Sequence, residues 1–483
     1  MAAHEPTSTP EDSSPPLDLR EDSMRALTDA VLARLLPHIT AAGDLPASGT
    51  FDDQVTARCL ALPSDPPEDG QPIEPLLDRF FDEWLPPTTL TTGPGYLAYV
   101  PGGGLYSSAL AHFLGAALNR YTGVWAAAPL LVDLEGRTLD WLRRWMGFPE
   151  SATGLFTPGG STSNLTAIIT ARERQLGPEI RRGTMYVSSE VHHCVTKSAR
   201  LAGIAPDRVR VVEVDARRRM RVASLESAIA ADRAAGLRPF LVVSSAGTTN
   251  TGAVDPLEAI GQVARREDLW HHVDGAYGAF FRLLPEFEGV LAGIESADSL
   301  TLDPHKGLFL PYGTGALLVR HGEDLRAVHE ATAGYLPDLP SDAHYDPSRV
   351  GPELSRPYRG LPLWFALQVH GLARFREAIA EKRALALYAT ERLRTIAGIE
   401  VLDEPQLTVI PFRASAPGWE EAQGDAKTRA LLEGVNARGR VFLSGATVGE
   451  RFVGRICILC FRADRERLDE GLEDLAAVRG GLG

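Results

Sequence analysis

Lys306 follows a short apolar, β-type run, Ser299-Leu-Thr-Leu-Asp-Pro-His-Lys306-Gly307, that stops at a turn. A lysine at the mouth of a strand, unlike one on a solvated helix face, is placed to form a Schiff base with a carbonyl cofactor. Upstream, Leu269-Trp-His-His-Val-Asp274-Gly-Ala276-Tyr reads as a second strand that ends in a carboxylate, with small residues just beyond it. A pyridine aldehyde such as pyridoxal phosphate needs that pair, a lysine for its carbonyl and an acid for its ring nitrogen. The interval from Asp274 to Lys306 suits two strands joined by a helical crossover. Asp274 would keep the ring nitrogen protonated, and Ala276 is small enough to lie beneath a ring.

These two strand ends need a frame. Between Gly154 and Arg320, β-branched runs alternate with helical patterns, the mark of a mostly parallel sheet covered by helices. Strands are predicted at Thr184 to Ser188, Val209 to Val214, Phe240 to Ser244, His272 to Val273, Ser299 to Leu302 and Gly315 to Val319. Helices are predicted at Thr162 to Arg174, Ser224 to Ala235 and Pro256 to Arg266, the last capped by Asp255. Active sites in such sheets collect at the carboxyl ends of strands, where Asp274 and Lys306 fall. Thr157-Pro-Gly159-Gly160-Ser161-Thr162-Ser163-Asn164 opens a helix with glycines and hydroxyls, a cup suited to a phosphate. Two adjacent histidines, His192 and His193, end another strand, and Thr248 sits in a Gly-Thr-Thr turn, where it serves either a cofactor or the local backbone.

Asp-Pro-His-Lys306 together with His-Val-Asp274-Gly-Ala276-Tyr resembles the group II pyridoxal-phosphate decarboxylases, which include the aromatic-L-amino-acid and glutamate decarboxylases. The resemblance runs from about Gly95 to the C-terminus. It implies an α/β fold of the fold type I pyridoxal-phosphate enzymes, a homodimer with active sites at the interface, and pyridoxal 5'-phosphate as cofactor. It assigns the cofactor phosphate to Ser161, Thr162 and Ser163, with His305 reaching it as well. It sets His192 flat against the pyridine ring, His193 being the alternative, and Thr248 near the ring oxygen or the Asp274 carboxylate. It places Tyr99, Pro101 and Gly102 along the substrate pocket; some relatives carry a polar side chain where Gly102 stands. Trp125 is either a pocket wall or a structural tryptophan. The polar stretch holding Tyr335, Tyr345, Arg356 and Arg359 resembles the mobile catalytic loop of these enzymes, and Tyr345, with Tyr335 as runner-up, fits the residue that protonates Cα. Arg356 and Arg359 either meet a substrate carboxylate or form structural ion pairs.

Composition bounds the rest. With 44% hydrophobic and 23% charged residues over 483, the chain has the profile of a soluble enzyme of two or three domains. A net charge of −14 opposes nonspecific binding to nucleic acid or anionic membranes. The four cysteines include Cys457-Ile-Leu-Cys460, but on a strand residues three apart face opposite ways, so neither a shared metal nor a bridge is expected, and a reduced, cytoplasmic setting follows. No run is apolar and long enough to span a bilayer. Residues 1–20 read as a disordered leader, and residues 21–95 carry helices from Asp22 or Ser23 to just before Pro37 and from Pro75 to Trp84; the resemblance implies that these wrap a partner subunit as a dimerisation segment, packing on their own domain being the alternative. Residues 96–376 read as the large cofactor domain. Residues 377–483 read as a smaller α+β domain, with a helix over Ala378 to Ile396 and strands at Leu407 to Phe412, Val441 to Leu443 and Arg455 to Phe461.

Three readings follow. The leading one is decarboxylation of an L-amino acid to its amine, aromatic or bulky side chains being favoured by Tyr99, Trp125 and Gly102. The second keeps the cofactor for aldehyde synthesis, transamination or lyase chemistry. The third is a silent scaffold on the same fold.

Overall fold

The computed structural model describes residues 17–49, 51–331 and 344–482. The expected leader therefore falls mostly outside the described residues, as does Tyr335. The chain divides after Leu90 into two compact units. In the first, helix Glu21–Thr40 passes through Pro37 instead of stopping before it. The Thr40 hydroxyl donates back to the Leu36 and Pro37 carbonyls at 3.1 and 3.0 Å, which closes the last turn. Asp52 caps helix Asp53–Leu60 through the Val55 N–H. The expected second helix is Ile73–Asp78, continued by a π-turn over Arg79–Trp84.

The second unit is built on a seven-stranded sheet. Its strands are β1 (Thr153–Thr157), β2 (Gly183–Ser188), β3 (Val209–Val212), β4 (Arg238–Ser245), β5 (Trp270–Asp274), β6 (Ser299–Leu302) and β7 (Gly315–Val319), in the spatial order β1-β7-β6-β5-β4-β2-β3. Only β7 runs against its neighbours, so the sheet is mostly parallel, as the alternating pattern predicts. The central strands are almost wholly buried, as strands covered by helices on both faces must be. Large apolar side chains fill both faces: Phe280, Leu300 and Leu318 on one, Ile168, Val187 and Val243 on the other.

Two local expectations are corrected. The passage from β5 to β6 is not a helical crossover but three 3₁₀ turns, Ala279–Leu283, Pro285–Phe287 and Ile294–Ser296, whose buried Phe280, Phe281 and Phe287 pack into the core. Asp255 does not cap the next helix, Leu257–Arg266, whose N-cap is Pro256. Its carboxylate is buried and accepts the Met220 and Ser245 N–H groups at 2.6 and 2.7 Å, bracing the end of β4.

A helical run, Gly360–Arg394, kinked at Gly371, spans the position where the sequence suggests a second domain boundary. It leads to an antiparallel sheet of β8 (Ile399–Val401), β9 (Val409–Ala414), β10 (Ser444–Val448) and β11 (Arg451–Cys457), in the order β10-β11-β9-β8. Val441 to Leu443 is not a strand of this sheet; Phe442 instead exchanges backbone hydrogen bonds with Gly95 and Leu97. Cys457 and Cys460 lie in different cores, one beneath the large sheet and one beneath the small sheet, and all four cysteines are free. Among the described residues no helix is long and apolar enough to cross a membrane, and no group of side chains could hold a metal ion.

Candidate active site

The carboxyl ends of β4, β5 and β6 open into a cavity of about 370 Å³. Asp274 is the last residue of β5, and β6 lies beside it. Past β6, Asp303 turns the chain into a one-turn helix, Pro304–Gly307, which carries Lys306 into the same cavity. Gly307 permits this turn because a Cβ there would sit 2.8 Å from the Phe280 ring. The Lys306 amine is 2.9 Å from Asp303 Oδ2. Burial alone would lower the ammonium's pKa, but the Asp303 carboxylate outweighs it and holds the amine above its usual range. The other Asp303 oxygen is buried without a partner among the described residues.

Asp274 is held from two sides. Its Oδ1 accepts the Ala276 N–H at 3.2 Å, and its Oδ2 accepts the Asn164 amide at 3.0 Å. Ala276 lines the cavity as expected. So does His192, whereas its neighbour His193 does not. His192 is the N-cap of helix His193–Leu201 and its Nδ1 accepts the Cys194 N–H at 3.3 Å, which leaves Nε2 to carry the proton. Burial lowers its pKa, with the Asp274 charge opposing, so the imidazole is neutral.

Against Asp303 and His305, Gly159 to Thr162 form the cup that begins helix Gly160–Leu176, and no side chain caps that end. The Gly160 and Ser161 N–H groups and the Ser161 and Thr162 hydroxyls suit a phosphate, while the Gly159 and Thr162 N–H groups are bonded within the turn. Ser163 does not share the role expected for it: its hydroxyl is buried and pairs with the Thr157 hydroxyl at 2.8 Å, because the helical turn points it toward β1. His305 lines the cavity, with Nδ1 2.8 Å from the Thr314 carbonyl and its pKa lowered by burial. Thr248 both lines the cavity and braces its own turn, accepting the Ala253 N–H at 3.1 Å.

None of the expected substrate residues Tyr99, Pro101, Gly102 and Trp125 lines this cavity. Tyr99, at φ 53°, is half exposed and tied to Ser444 and Arg455 through its backbone. Gly102, which follows Pro101, backs onto Tyr312, a cavity residue: a Cβ on Gly102 would lie 2.6 Å from the Tyr312 ring. Trp125 takes the structural role, donating its indole N–H to Asp133 at 3.0 Å and stacking on His344 at 3.9 Å. Tyr345 is not brought to Lys306. Its ring packs on Gly136 in a separate cavity beside Asp140 and Leu318, and its hydroxyl has no partner among the described residues. Arg356 pairs with Glu135, and Arg359 with Glu353 at 2.6 Å. Asn164, Asp303, Cys194 and Tyr312 were not among the expected site residues. Of these only Asp303 carries a local signal, a carboxylate three residues before a lysine across a turn.

A lysine and a carboxylate at neighbouring strand ends, an uncapped helix cup for an anion and a small residue beside the acid define a fold type I enzyme that uses pyridoxal 5'-phosphate. Residues 58–415 match the profile described as the pyridoxal-dependent decarboxylase conserved domain. An aromatic-L-amino-acid decarboxylase of Bacillus atrophaeus is 33% identical over 460 residues, covering 94% of each chain. A phenylacetaldehyde synthase of Arabidopsis thaliana is 28% identical, covering 82% of this chain and 84% of that one. The structure of Oryza sativa TDC with PLP and tryptamine superposes with a TM-score of 0.92 at 25% identity, covering 97% of this chain and 99% of that one. This chain belongs to the pyridoxal-dependent decarboxylase family and is a pyridoxal-phosphate-dependent amino-acid decarboxylase.

Proposed function

We propose that this enzyme converts an aromatic or bulky L-amino acid to its amine and CO₂. The observation that carries the site assignment is the convergence of the Lys306 amine and the Asp274 carboxylate on one cavity that also holds the Gly159 to Thr162 cup. When bound, pyridoxal phosphate supplies an aldehyde carbon for an amine and a ring that accepts the electron pair released at Cα. In this reading Lys306 is the anchoring amine, and Asp303 sets its charge while it is free. Ser161, Thr162 and His305 take the phosphate, with Ser163 bracing the cup from behind. Asp274 keeps a proton on the ring nitrogen, Ala276 leaves room for the ring, and His192 covers it, with Thr248 at its edge. Tyr345 delivers the proton to Cα. To do so it must leave its seat on Gly136 or serve a second subunit's cavity.

The substrate class rests on three supports: the aromatic-L-amino-acid decarboxylase relative, the absence of a polar side chain at Gly102, and Tyr312 at the cavity edge. Tyr99 and Pro101 belong to the outer walls in this reading, and Trp125 is structural. A homodimer is supported by Leu110, Phe113, Leu114 and Leu118, which stand exposed at helical spacing on Tyr106–Leu118, an apolar face suited to a second copy. Residues 21–95 are a dimerisation segment in this reading, which the absence of any buried residue in helix Glu21–Thr40 supports. A cytoplasmic setting suits four free thiols.

Aldehyde synthesis is the second reading, favoured by the phenylacetaldehyde synthase relative. Family members that make aldehydes are associated with phenylalanine at the loop tyrosine and asparagine at the stacking histidine; this chain keeps Tyr345 and His192. The test is to incubate the holoenzyme with a panel of L-amino acids and assay CO₂, amine, aldehyde and ammonia together. Amine equal to CO₂ from an aromatic substrate is expected. Aldehyde with oxygen uptake would replace the first reading by the second.

A further inference from the structure

Behind Asp274 lies a chain of buried polar side chains whose hydrogen bonds run one way. Trp270 Nε1, which can only donate, is 2.8 Å from Ser299 Oγ. Ser299 Oγ is 2.7 Å from His272 Nδ1, and His272 Nε2 is 2.8 Å from Asn164 Oδ1. The Asn164 amide nitrogen then donates to Asp274 at 3.0 Å and to the Cys194 sulfur at 3.2 Å, while Asn164 Oδ1 also accepts from the Thr301 hydroxyl at 2.8 Å. His272, Ser299, Asn164 and Thr301 are wholly buried, and Trp270 nearly so.

The direction follows from chemistry at the two ends. An ionised carboxylate only accepts, so the NH₂ of Asn164 must face Asp274 and its carbonyl must face His272. His272 Nε2 therefore carries a hydrogen. Burial keeps the imidazole neutral, so Nδ1 is an acceptor, and the Ser299 hydroxyl donates to it while taking the indole N–H. Every member has one orientation. If Asn164 flipped, its carbonyl would face the carboxylate, acceptor against acceptor.

We propose that Asn164 and His272 are positioning residues that aim a fixed N–H donor at Asp274, holding its carboxylate oriented for the cofactor's ring nitrogen. The proposal rests on the Asp274 assignment above and adds the residues that tune it. His272 acts only through Asn164, and Ser299 and Trp270 act only by setting the His272 tautomer.

The first test needs no cofactor. In apoprotein labelled with ¹⁵N at histidine, the His272 signal, assigned by its loss in His272→Gln, should show the Nε2–H tautomer; an Nδ1–H tautomer or a cation overturns the proposal. The second compares pyridoxal phosphate affinity, read from the absorption band of the bound cofactor, in Asn164→Leu, His272→Phe and His272→Gln. Loss of one hydrogen bond to a charged group predicts about 10- to 100-fold weaker binding for the first two. His272→Gln, whose amide can still donate to Asn164, should recover most of it. A folded His272→Phe with wild-type affinity and band sinks the proposal. If that variant does not fold, the wild-type tautomer decides. Failure of the wild type to bind pyridoxal phosphate would instead sink the site assignment, a result separable from the tautomer.

Discussion

Acid should destabilise this protein more steeply than its carboxylates require, because β5 buries two adjacent histidines on opposite faces. His271 faces Ser244, 2.8 Å from Nε2, and has no partner for Nδ1 among the described residues; His272 faces Asn164. Burial, assisted by the charge on Arg265, lowers His271 to about 3. Burial also lowers His272 to about 4, against the pull of Asp274. Both groups would titrate at 6.5 if exposed. Below that pH the unfolded chain takes up a proton at each position that the native chain refuses, so stability falls as pH falls. The slope is about 1.4 kcal/mol per pH unit per histidine. Because the unfolded histidine is only half protonated at pH 6.5, the fall to pH 4.5 amounts to a little over 2 kcal/mol each, about 5 kcal/mol for the pair. Asp255 works the other way, since burial pushes it up to about 6 and its native form gains a proton first. Comparing variants removes that contribution. Urea unfolding at the two pH values should show the His271→Gln/His272→Gln double variant losing about 5 kcal/mol less than the wild type over the interval. Equal losses in the two proteins would refute the reasoning, because they would mean that neither imidazole is excluded from protonation in the fold.

Two further outcomes are expected. Gly102→Ser places a Cβ 2.6 Å from the Tyr312 ring, which must retreat by about 0.8 Å to ordinary contact distance. Tyr312 is more than half exposed, so unfolding should record a cost of only about 1 kcal/mol, at the low end for overpacking, while the order of preference in the amino-acid panel changes. Arg356→Met leaves Glu135 buried with the Gly360 N–H, 3.0 Å away, as its one remaining hydrogen bond among the described residues and the Arg359 charge as its remaining counterion, and should cost about 3–5 kcal/mol in urea unfolding. Burial already raises the Glu135 pKa, and losing Arg356 raises it further. The deficit of that variant should therefore shrink as pH falls toward 5, and Glu135→Leu added to it should restore stability.

Much of the scaffold was legible because a parallel sheet covered on both faces writes its strands as short β-branched runs. Ser299–Leu302 and Gly315–Val319 match their expected bounds residue for residue. β1 was missed because Thr-Gly-Leu-Phe-Thr has a central glycine and only two large apolar residues; its place depends on antiparallel pairing with β7. The expected strand at Val441 to Leu443 failed for a related reason. Val441 and Leu443 are buried and Phe442 partly so, but its backbone pairs with Gly95 and Leu97, and the strand is the more polar Ser444–Val448 beside β11.

The site divides along the same line. Lys306 with Asp303, the glycines and hydroxyls of the cup, and Asp274 at a strand end are local patterns, readable over a few residues. What supports Asp274 is not local. Asn164 lies 110 residues from the carboxylate it meets and 108 from the imidazole that orients it, and nothing in its own neighbourhood distinguishes it from any polar residue early in a helix. Tyr345 is the converse case: its loop-like surroundings suggested a role, yet its ring is seated on Gly136 and not beside Lys306. Residues that bond to a cofactor must sit at turns and strand ends, where the chain leaves a signature. Residues that set charge and aim from behind need only be polar and buried, and that becomes visible only when distant segments are brought together.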